Sequence, residues 1–171
     1  MSTKRTKVPV HLLRDPGHLV ALGFGSGMAT RAPGTFGTLA AIPLVVLTHQ
    51  AGLAAYSLIC VLVIVVAIWT AGRTAKALGV HDHGAIVVDE FAGLFVSMLA
   101  VPMNLATLTL AVVCFRILDI AKPGPIGYLD RHLDGGAGIV IDDVAAGLVT
   151  ALLLHGLIFV FPSLAGISTM S

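Results

Sequence analysis

The sequence predicts an all-α protein, a small polytopic membrane helix bundle of about five apolar helical segments with a polar site at its cytoplasmic face. Three observations support this class. Of the 171 residues, 57% are hydrophobic and only 11% are charged, and the mean hydropathy is +0.98. A soluble domain is about 45–50% apolar and about 25% charged. The apolar residues also fall in long runs, and the clearest has about the 20 residues needed to cross a hydrocarbon core about 30 Å thick.

The chain is predicted to form one membrane domain with a short segment at each end. We place a cytoplasmic N-terminal arm at residues 1–18, the domain at 19–163 and a tail at 164–171. The arm is basic, but no compact apolar core with a small-residue cleavage site follows it, so a signal peptide is not predicted. Cys60 and Cys114 lie in apolar runs, where a cysteine is usually a small hydrophobic residue, and neither indicates a disulfide or a metal site.

Taken in order, the apolar runs suggest where the chain crosses the bilayer. The first run, 35–48, is short and leads through a polar break into the clearest span, 52–71, which ends at Arg73. These two segments are predicted to form a helical hairpin. After a polar loop, apolar character resumes over residues 85–115, and a final run covers 139–161.

The segment 85–120 allows two interpretations, one kinked span or two short helices that meet near the sequence VPMN. Lys and Arg are concentrated in the cytoplasmic loops of membrane proteins. Two helices put all ten Lys and Arg residues on one side, whereas one helix would move the three cations of 116–131 across the membrane. We therefore predict two helices and a cytoplasmic N-terminus, which also collects all nine acidic residues there. Because 105–115 is short, a re-entrant or tilted hairpin stays open.

Four polar clusters are predicted to meet at this face, and the first is the stretch GFGSGMATRAPGTFGT at residues 23–38. Its glycines permit close backbone approach, so successive N–H groups could cradle an anion at the start of the following helix. The alternative is a flexible loop followed by close packing of small residues between helices. The spacing matches neither a Walker motif nor a dinucleotide fingerprint.

The second cluster contains Asp89 and Glu90, which lie several apolar residues into a predicted helix. Ionisable residues at membrane depth are costly and are usually functional. The alternative is a structural salt bridge to Arg73 or Arg116. Either way, these carboxylates are predicted to face the inside of the bundle.

The third cluster places Arg116, Asp119 and Lys122 at i, i+3 and i+6, on one broad face of a helix that ends at the following prolines. Two cations and a carboxylate on one face suit a bound phosphate and a metal ion. Anchoring to lipid headgroups could explain Lys122 but not Asp119. The segment after the prolines, through Asp134, is expected to be a loop.

The fourth cluster is the pair Asp142 and Asp143 at the start of the last apolar run. Helical spacing from Asp143 reaches Ala146, Gly147 and Thr150, a small-residue face that lets neighbouring helices approach closely. The two carboxylates are therefore predicted to point into the bundle and not toward lipid.

The carboxylates of these clusters outnumber the cations that could neutralise them. A divalent cation would resolve the imbalance, and with carboxylate ligands and no Cys or His pair at ligand spacing, Mg²⁺ is expected over zinc. A metal ion beside basic side chains at the headgroup plane indicates phosphate chemistry on a lipid. The acidic residues concerned are Asp89, Glu90, Asp119, Asp142 and Asp143.

Four stretches, in order, resemble the bacterial phosphatidylglycerophosphatase A family: GFGSGMATRAPGTFGTLAAIPL, DHGAIVVDEFAG, FRILDIAKPGP and DGGAGIVIDDVAAG. The resemblance covers about residues 19–148. It implies Mg²⁺-dependent removal of the terminal phosphate from phosphatidylglycerophosphate, giving phosphatidylglycerol, at the cytoplasmic side of a bacterial inner membrane. One departure is Gly124, where the family pattern leads us to expect Trp between the two prolines.

Carried onto this chain, the resemblance yields three sets of site residues. The predicted catalytic residues are Asp89, Glu90, Asp119 and Asp143. The predicted Mg²⁺ ligands are Asp89, Glu90, Asp142 and Asp143. The predicted phosphate-binding residues are Arg116, Lys122, Thr35 and Thr38. We expect a metal-activated water to attack phosphorus, and the alternative is an aspartate nucleophile that forms an aspartyl phosphate.

A membrane carrier or channel, in which buried carboxylates relay cations or protons, is the competing function. The acidic residues cluster near one face and the middles of the spans lack charge, so no path across the membrane is evident. A purely structural membrane protein would leave the acidic surplus unexplained. The net charge of +1 gives no indication of a nucleic-acid partner, and a homo-oligomer stays open because neighbouring copies could supply polar partners.

Overall fold

All regular structure in the described part of the chain is helical, as predicted. A computed structural model describes residues 8–80 and 83–166, so the first seven residues of the predicted arm and the last five of the predicted tail lie outside the described residues. The α-helices are α1 (Pro16–Ala21), α2 (Pro33–His49), α3 (Leu53–Leu78), α4 (Val88–Ser97), α5 (Leu105–Ala121), α6 (Pro125–His132) and α7 (Gly135–Val160). Short 3-10 turns occur at Val10–Arg14, Gly23–Met28 and Pro162–Ala165.

Two helices, α3 and α7, are long and apolar enough to cross a membrane by length and composition, each with 26 residues. Helix α2 is apolar but has 17 residues, α4 has 10 and α5 has 17. The prediction of about five membrane segments is therefore not confirmed. The predicted division of 85–120 into two helices is confirmed, because α4 and α5 are separate.

The break between α4 and α5 has a local cause. The Asn104 side chain accepts a hydrogen bond from the Thr107 backbone N–H, and the Thr107 hydroxyl accepts one from the Asn104 N–H. This capping box satisfies backbone donors that a helix start leaves open, so α5 begins at Leu105. Two histidines hold the turn from outside, since His49 Nε2 lies 2.9 Å from the Val101 carbonyl oxygen and His155 Nε2 lies 3.2 Å from that of Ala100.

The segment after the two prolines is a helix and not the loop that we predicted. Pro125 occupies the first helical position of α6, where a missing N–H costs nothing and the fixed φ of proline suits the helix. Prolines that end α5 therefore also start α6. This short helix packs against α7 and carries Asp130 on its last turn.

Helix α4 lies at the centre of the bundle and packs against α2, α3, α5 and α7. Apart from Asp89, its residues are buried. At its far end the Tyr56 hydroxyl of α3 donates a 2.8 Å hydrogen bond to the Phe95 carbonyl. Large apolar side chains stay exposed on the longer helices, including Leu58, Val65, Leu152 and Phe159.

Helix α7 approaches its neighbours at backbone distance. A Cβ atom added at Gly136 would lie 1.9 Å from the Ile68 carbonyl oxygen of α3, and one added at Gly147 would lie 2.4 Å from the Gly93 carbonyl oxygen of α4. The predicted small-residue face of α7 is thus buried against other helices. This contact brings the Asp142–Asp143 segment into the interior.

The residues just before α1 are tied to α3. The Asp15 carboxylate accepts hydrogen bonds from the Gly17 and His18 backbone N–H groups and from both terminal nitrogens of Arg73, at 2.7 and 2.8 Å. The hydrogen bonds from the Arg73 guanidinium hold the pKa of Asp15 at about 2. His18 Nδ1 also lies 2.9 Å from the Thr74 hydroxyl. The end of the predicted arm is therefore packed on the bundle.

Replacing Gly136 by alanine is expected to destabilise the protein, because the new methyl group would overlap the α3 backbone and force two helices apart. Overpacking of this kind costs about 1–3 kcal/mol. Gly156→Ala on the same helix is the matched control, since a Cβ there meets nothing within 4 Å. Thermal unfolding in detergent should show a lower midpoint for Gly136→Ala alone. Equal midpoints for the two variants would contradict the close packing of α3 and α7.

Candidate functional site

A cavity of about 350 Å³ lies where the N-terminal ends of α2, α4 and α7 meet the C-terminal end of α5 and the short helix α6. Six carboxylates and two cations line it. The lining includes every predicted acidic residue and both predicted cations, so the structure brings these together. The polar lining residues are Asp89, Glu90, Arg116, Asp119, Lys122, Asp130, Asp142 and Asp143.

Asp142 and Asp143 are the most buried of the charged residues that line this cavity, and each is 3% exposed. One carboxylate oxygen of Asp119, one of Asp142 and one of Asp143 lie within 4.8 Å of one another. Within the described ranges, Asp142 Oδ1 and Asp143 Oδ2 are buried without a hydrogen-bond partner. The close packing of α7 on α4 puts these oxygens out of reach of bulk water.

These three carboxylates fit a hard divalent cation. A buried charged oxygen without a partner carries a large desolvation cost, and a coordinated cation would remove it. Mg²⁺ takes oxygen ligands and is commonly held by one or two protein carboxylates. Asp142 and Asp143 belong to the predicted ligand set, whereas Asp119 was predicted only as a catalytic residue. Its oxygen lies closer to the pair than the sequence indicated.

Glu90 is engaged by two other side chains. Its Oε2 atom accepts a hydrogen bond from Nη1 of Arg116 and a 3.0 Å hydrogen bond from the Thr38 hydroxyl. The same Nη1 donates to Asp119 Oδ2 at 2.7 Å. A salt bridge from Arg116 was one alternative for Glu90, and the structure contains it, whereas Arg73 pairs with Asp15.

Lys122 closes one side of the cavity. Its ammonium donates to Asp130 Oδ1 at 2.6 Å and to Asp142 Oδ2, so it joins α6 to α7. Partial burial disfavours the ammonium, but hydrogen bonds from it to Asp130 and Asp142 raise the pKa of Lys122 above its usual value. Lys122 is therefore a fixed cation at neutral pH.

The two predicted phosphate-binding threonines differ from the predicted phosphate-binding cations in their position relative to the cavity. Neither Thr35 nor Thr38 is among the residues that line the cavity. Thr38 is fully buried and donates its hydroxyl toward Glu90 and the Gly34 carbonyl. Helical spacing alone could not show which face of α2 this hydroxyl occupies.

Asp130 is a cavity residue that sequence reasoning did not single out. It lies in the run of charged residues that ends at Asp134, and nothing in the spacing distinguishes the two. The α6 helix explains the difference, since it turns Asp130 toward Lys122. Asp134 precedes α7 and does not line the cavity.

Known proteins resemble this chain over most of its length. Residues 19–158 match the family described as Phosphatidylglycerophosphatase A. The chain is 45% identical over 144 residues to Phosphatidylglycerophosphatase A of Escherichia coli (strain K12), covering 84% of each sequence. It is 40% identical over 147 residues to the protein of that name from Haemophilus influenzae, covering 85% of this chain and 90% of that one. No solved structure matches the chain significantly.

The match extends over most of the chain and includes every charged residue that lines the cavity. The chain belongs to the phosphatidylglycerophosphatase A family.

Proposed function

We propose that the cavity hydrolyses the phosphate monoester of phosphatidylglycerophosphate to phosphatidylglycerol and inorganic phosphate, with Mg²⁺ as cofactor. The chain is a phosphatase of phospholipid biosynthesis by its family. The observation that carries the proposal is a cavity lined by Arg116, Lys122 and carboxylates, two of which have an oxygen with no hydrogen-bond partner among the described residues. A metal ion and a phosphate group together would satisfy both kinds of charge.

Asp119, Asp142 and Asp143 would hold Mg²⁺, because one oxygen of each lies within 4.8 Å of the others, and Asp142 and Asp143 each have an oxygen with no hydrogen-bond partner among the described residues. When bound, Mg²⁺ supplies Lewis-acid polarisation of a phosphoryl oxygen and lowers the pKa of water. Asp89 lines the same cavity and stays in the proposed set of residues around the metal. The contacts of Glu90 favour a different role.

Arg116 and Lys122 are the proposed phosphate-binding residues. Both are cations that line the cavity, and a phosphate monoester is recognised most strongly by charge-assisted hydrogen bonds. The water oxygen attacks phosphorus while the bond from phosphorus to the glycerol oxygen breaks. The proton of the water passes to a cavity carboxylate, for which Asp89 is the candidate, and the leaving glycerol oxygen takes up a proton from solvent.

A multi-pass position in a bacterial inner membrane, with the site facing the cytoplasm, is part of the proposal. The cations Arg73 and Lys76 lie in the last turns of α3, at the same end of the bundle as the cavity. The opposite end of the bundle is held by His49, Asn104 and His155. Cytoplasmic ends of membrane helices carry the excess of Lys and Arg.

Purified protein in detergent is expected to release phosphate from phosphatidylglycerophosphate with Mg²⁺ and to stop when the metal is chelated. A cation is expected to be required because one carboxylate oxygen of Asp142 and one of Asp143 are buried with no hydrogen-bond partner among the described residues. Colorimetric phosphate release measures the activity, and restoring Mg²⁺ after chelation is the control. Phosphate release that persists in the presence of chelator would contradict the role of the metal. A phosphorylated aspartate trapped by acid quench would show that an aspartate, and not water, attacks phosphorus.

Asp143→Asn is expected to lower the rate of phosphate release at least about 100-fold. Mutation of residues that only hydrogen-bond to metal ligands already lowers activity by up to about 100-fold, and loss of a ligand itself should cost more. Asp134→Asn is the matched control, because Asp134 precedes α7, does not line the cavity and loses the same carboxylate charge. Steady-state assays of both proteins at equal folded concentration test this. Equal activity of the two variants would show that Asp143 is not a site residue. Uptake of a labelled cation into proteoliposomes, without phosphate release, would support the carrier alternative.

A further inference from the structure

We infer that Glu90 and Thr38 are positioning residues that orient Arg116, so that the Nε–Nη2 edge of its guanidinium binds the substrate phosphate side-on. This inference rests on the proposed function and assigns Glu90 a role other than metal ligand. It follows from which atoms of the three side chains are already engaged and which are left over.

The Glu90 carboxylate is held between two donors inside the bundle. Glu90 is 7% exposed and Thr38 is 0% exposed. The Thr38 hydroxyl lies 3.0 Å from Glu90 Oε2, the atom that also accepts the hydrogen bond from Arg116 Nη1. A buried carboxylate with two fixed donors has little freedom to turn toward a metal ion.

The Arg116 guanidinium uses only one of its terminal nitrogens for these contacts. Nη1 donates to Glu90 and to Asp119, while Nε is buried without a hydrogen-bond partner in the described part of the chain. The side-on edge of a guanidinium consists of Nε and Nη2. That edge matches two phosphate oxygens in a bidentate pair, so the buried carboxylates fix one corner and leave the phosphate-binding edge available.

The start of α2 lies against the same group. A Cβ atom at Gly34 would be 2.1 Å from Glu90 Oε1 and 3.0 Å from Arg116 Nη2, so only glycine leaves room for the pair. The residue before α2, Ala32, supplies no side-chain cap, and 32–34 line the cavity. The start of α2, which carries the positive end of that helix's dipole, therefore lies close to Arg116, and both would favour an anion.

This arrangement divides the acidic residues by role. Asp119, Asp142 and Asp143 converge on one point and suit a metal ion. Glu90 does not belong to that group of three, and with Thr38 it holds Arg116 Nη1 and so sets the direction of the cation. The sequence DE of residues 89–90 thus contributes to two different parts of the site.

Variants at Glu90 and Thr38 test the inference. Glu90→Gln keeps the shape but removes the charge that holds Nη1, and we expect KM for the lipid and the inhibition constant of inorganic phosphate to rise about tenfold, the size of one charge-assisted hydrogen bond. Mg²⁺ affinity, measured by calorimetry, should be unchanged. Thr38→Val should raise the same phosphate constants by a smaller factor, and Thr38→Ser, which keeps the hydroxyl, should restore them.

Thr48→Val is the matched control for Thr38→Val, because the Thr48 hydroxyl lies on the same helix and donates to the Leu44 and Val45 carbonyls of that helix. It should leave KM unchanged. Loss of Mg²⁺ affinity in Glu90→Gln as large as that in Asp143→Asn, with phosphate inhibition unaltered, would make Glu90 a metal ligand and overturn the inference. Identical phosphate constants for Thr38→Val and the unmodified protein would overturn it as well.

The experiment separates this inference from the proposed function. If the unmodified protein binds inorganic phosphate in a Glu90-dependent manner but releases none from the lipid, the proposed reaction is wrong and the positioning role stands. If the lipid is hydrolysed while the Glu90→Gln and Thr38→Val proteins keep their phosphate constants, the positioning role is wrong and the reaction stands.

Discussion

The rest of the site depends on two adjacent buried carboxylates at one end of an apolar bundle, because the surrounding groups must compensate their charge. Asp142 and Asp143 are each 3% exposed, and burying an ionised carboxylate is costly unless it is paired. Lys122 donates to one oxygen of Asp142, and among the described residues the other oxygen of Asp142 and one oxygen of Asp143 have no hydrogen-bond partner. A divalent cation at this point would supply the missing compensation.

The backbone packing is what allows this charge to be buried. Gly136 brings α7 against α3, and Gly147 brings it against α4, with no side chain between the helices. Gly34, at the start of α2, leaves room for the side chains of Glu90 and Arg116. Because three helices begin at the cavity, the positive ends of their dipoles point toward it and offset part of the acidic charge. Close helix packing and site electrostatics therefore have one structural origin.

Much of this could be predicted from the sequence, because the signals are local. The spacing of Arg116, Asp119 and Lys122 placed them on one helix face, and all three line the cavity. The small residues after Asp143 predicted an inward-facing pair, and both aspartates are buried. Charge distribution separated α4 from α5, and the capping box at Asn104 provides the local reason.

What the sequence could not supply are the pairings between distant elements. Glu90 and Thr38 are 52 positions apart, and only the packing of α4 on α2 brings the hydroxyl to the carboxylate. The same holds for Asp119, whose oxygen joins the Asp142–Asp143 pair through the approach of α5 to α7. Helix α6 was missed because a proline that ends one helix is also an acceptable first residue of the next. The number of membrane segments depends on helix lengths that hydropathy alone does not define.

The most direct measurement is the thermal unfolding midpoint of the purified protein in detergent as a function of Mg²⁺ concentration, compared with that of Asp143→Asn. A ligand that binds only the folded state stabilises it in a saturable way. We predict that the unfolding midpoint of the unmodified protein rises with Mg²⁺ and saturates, and that the midpoint of Asp143→Asn does not change. Without metal, the variant should be the more stable of the two proteins, because it lacks one uncompensated buried charge. A midpoint that does not respond to Mg²⁺ in either protein would contradict the central claim that the buried carboxylates form a cation site.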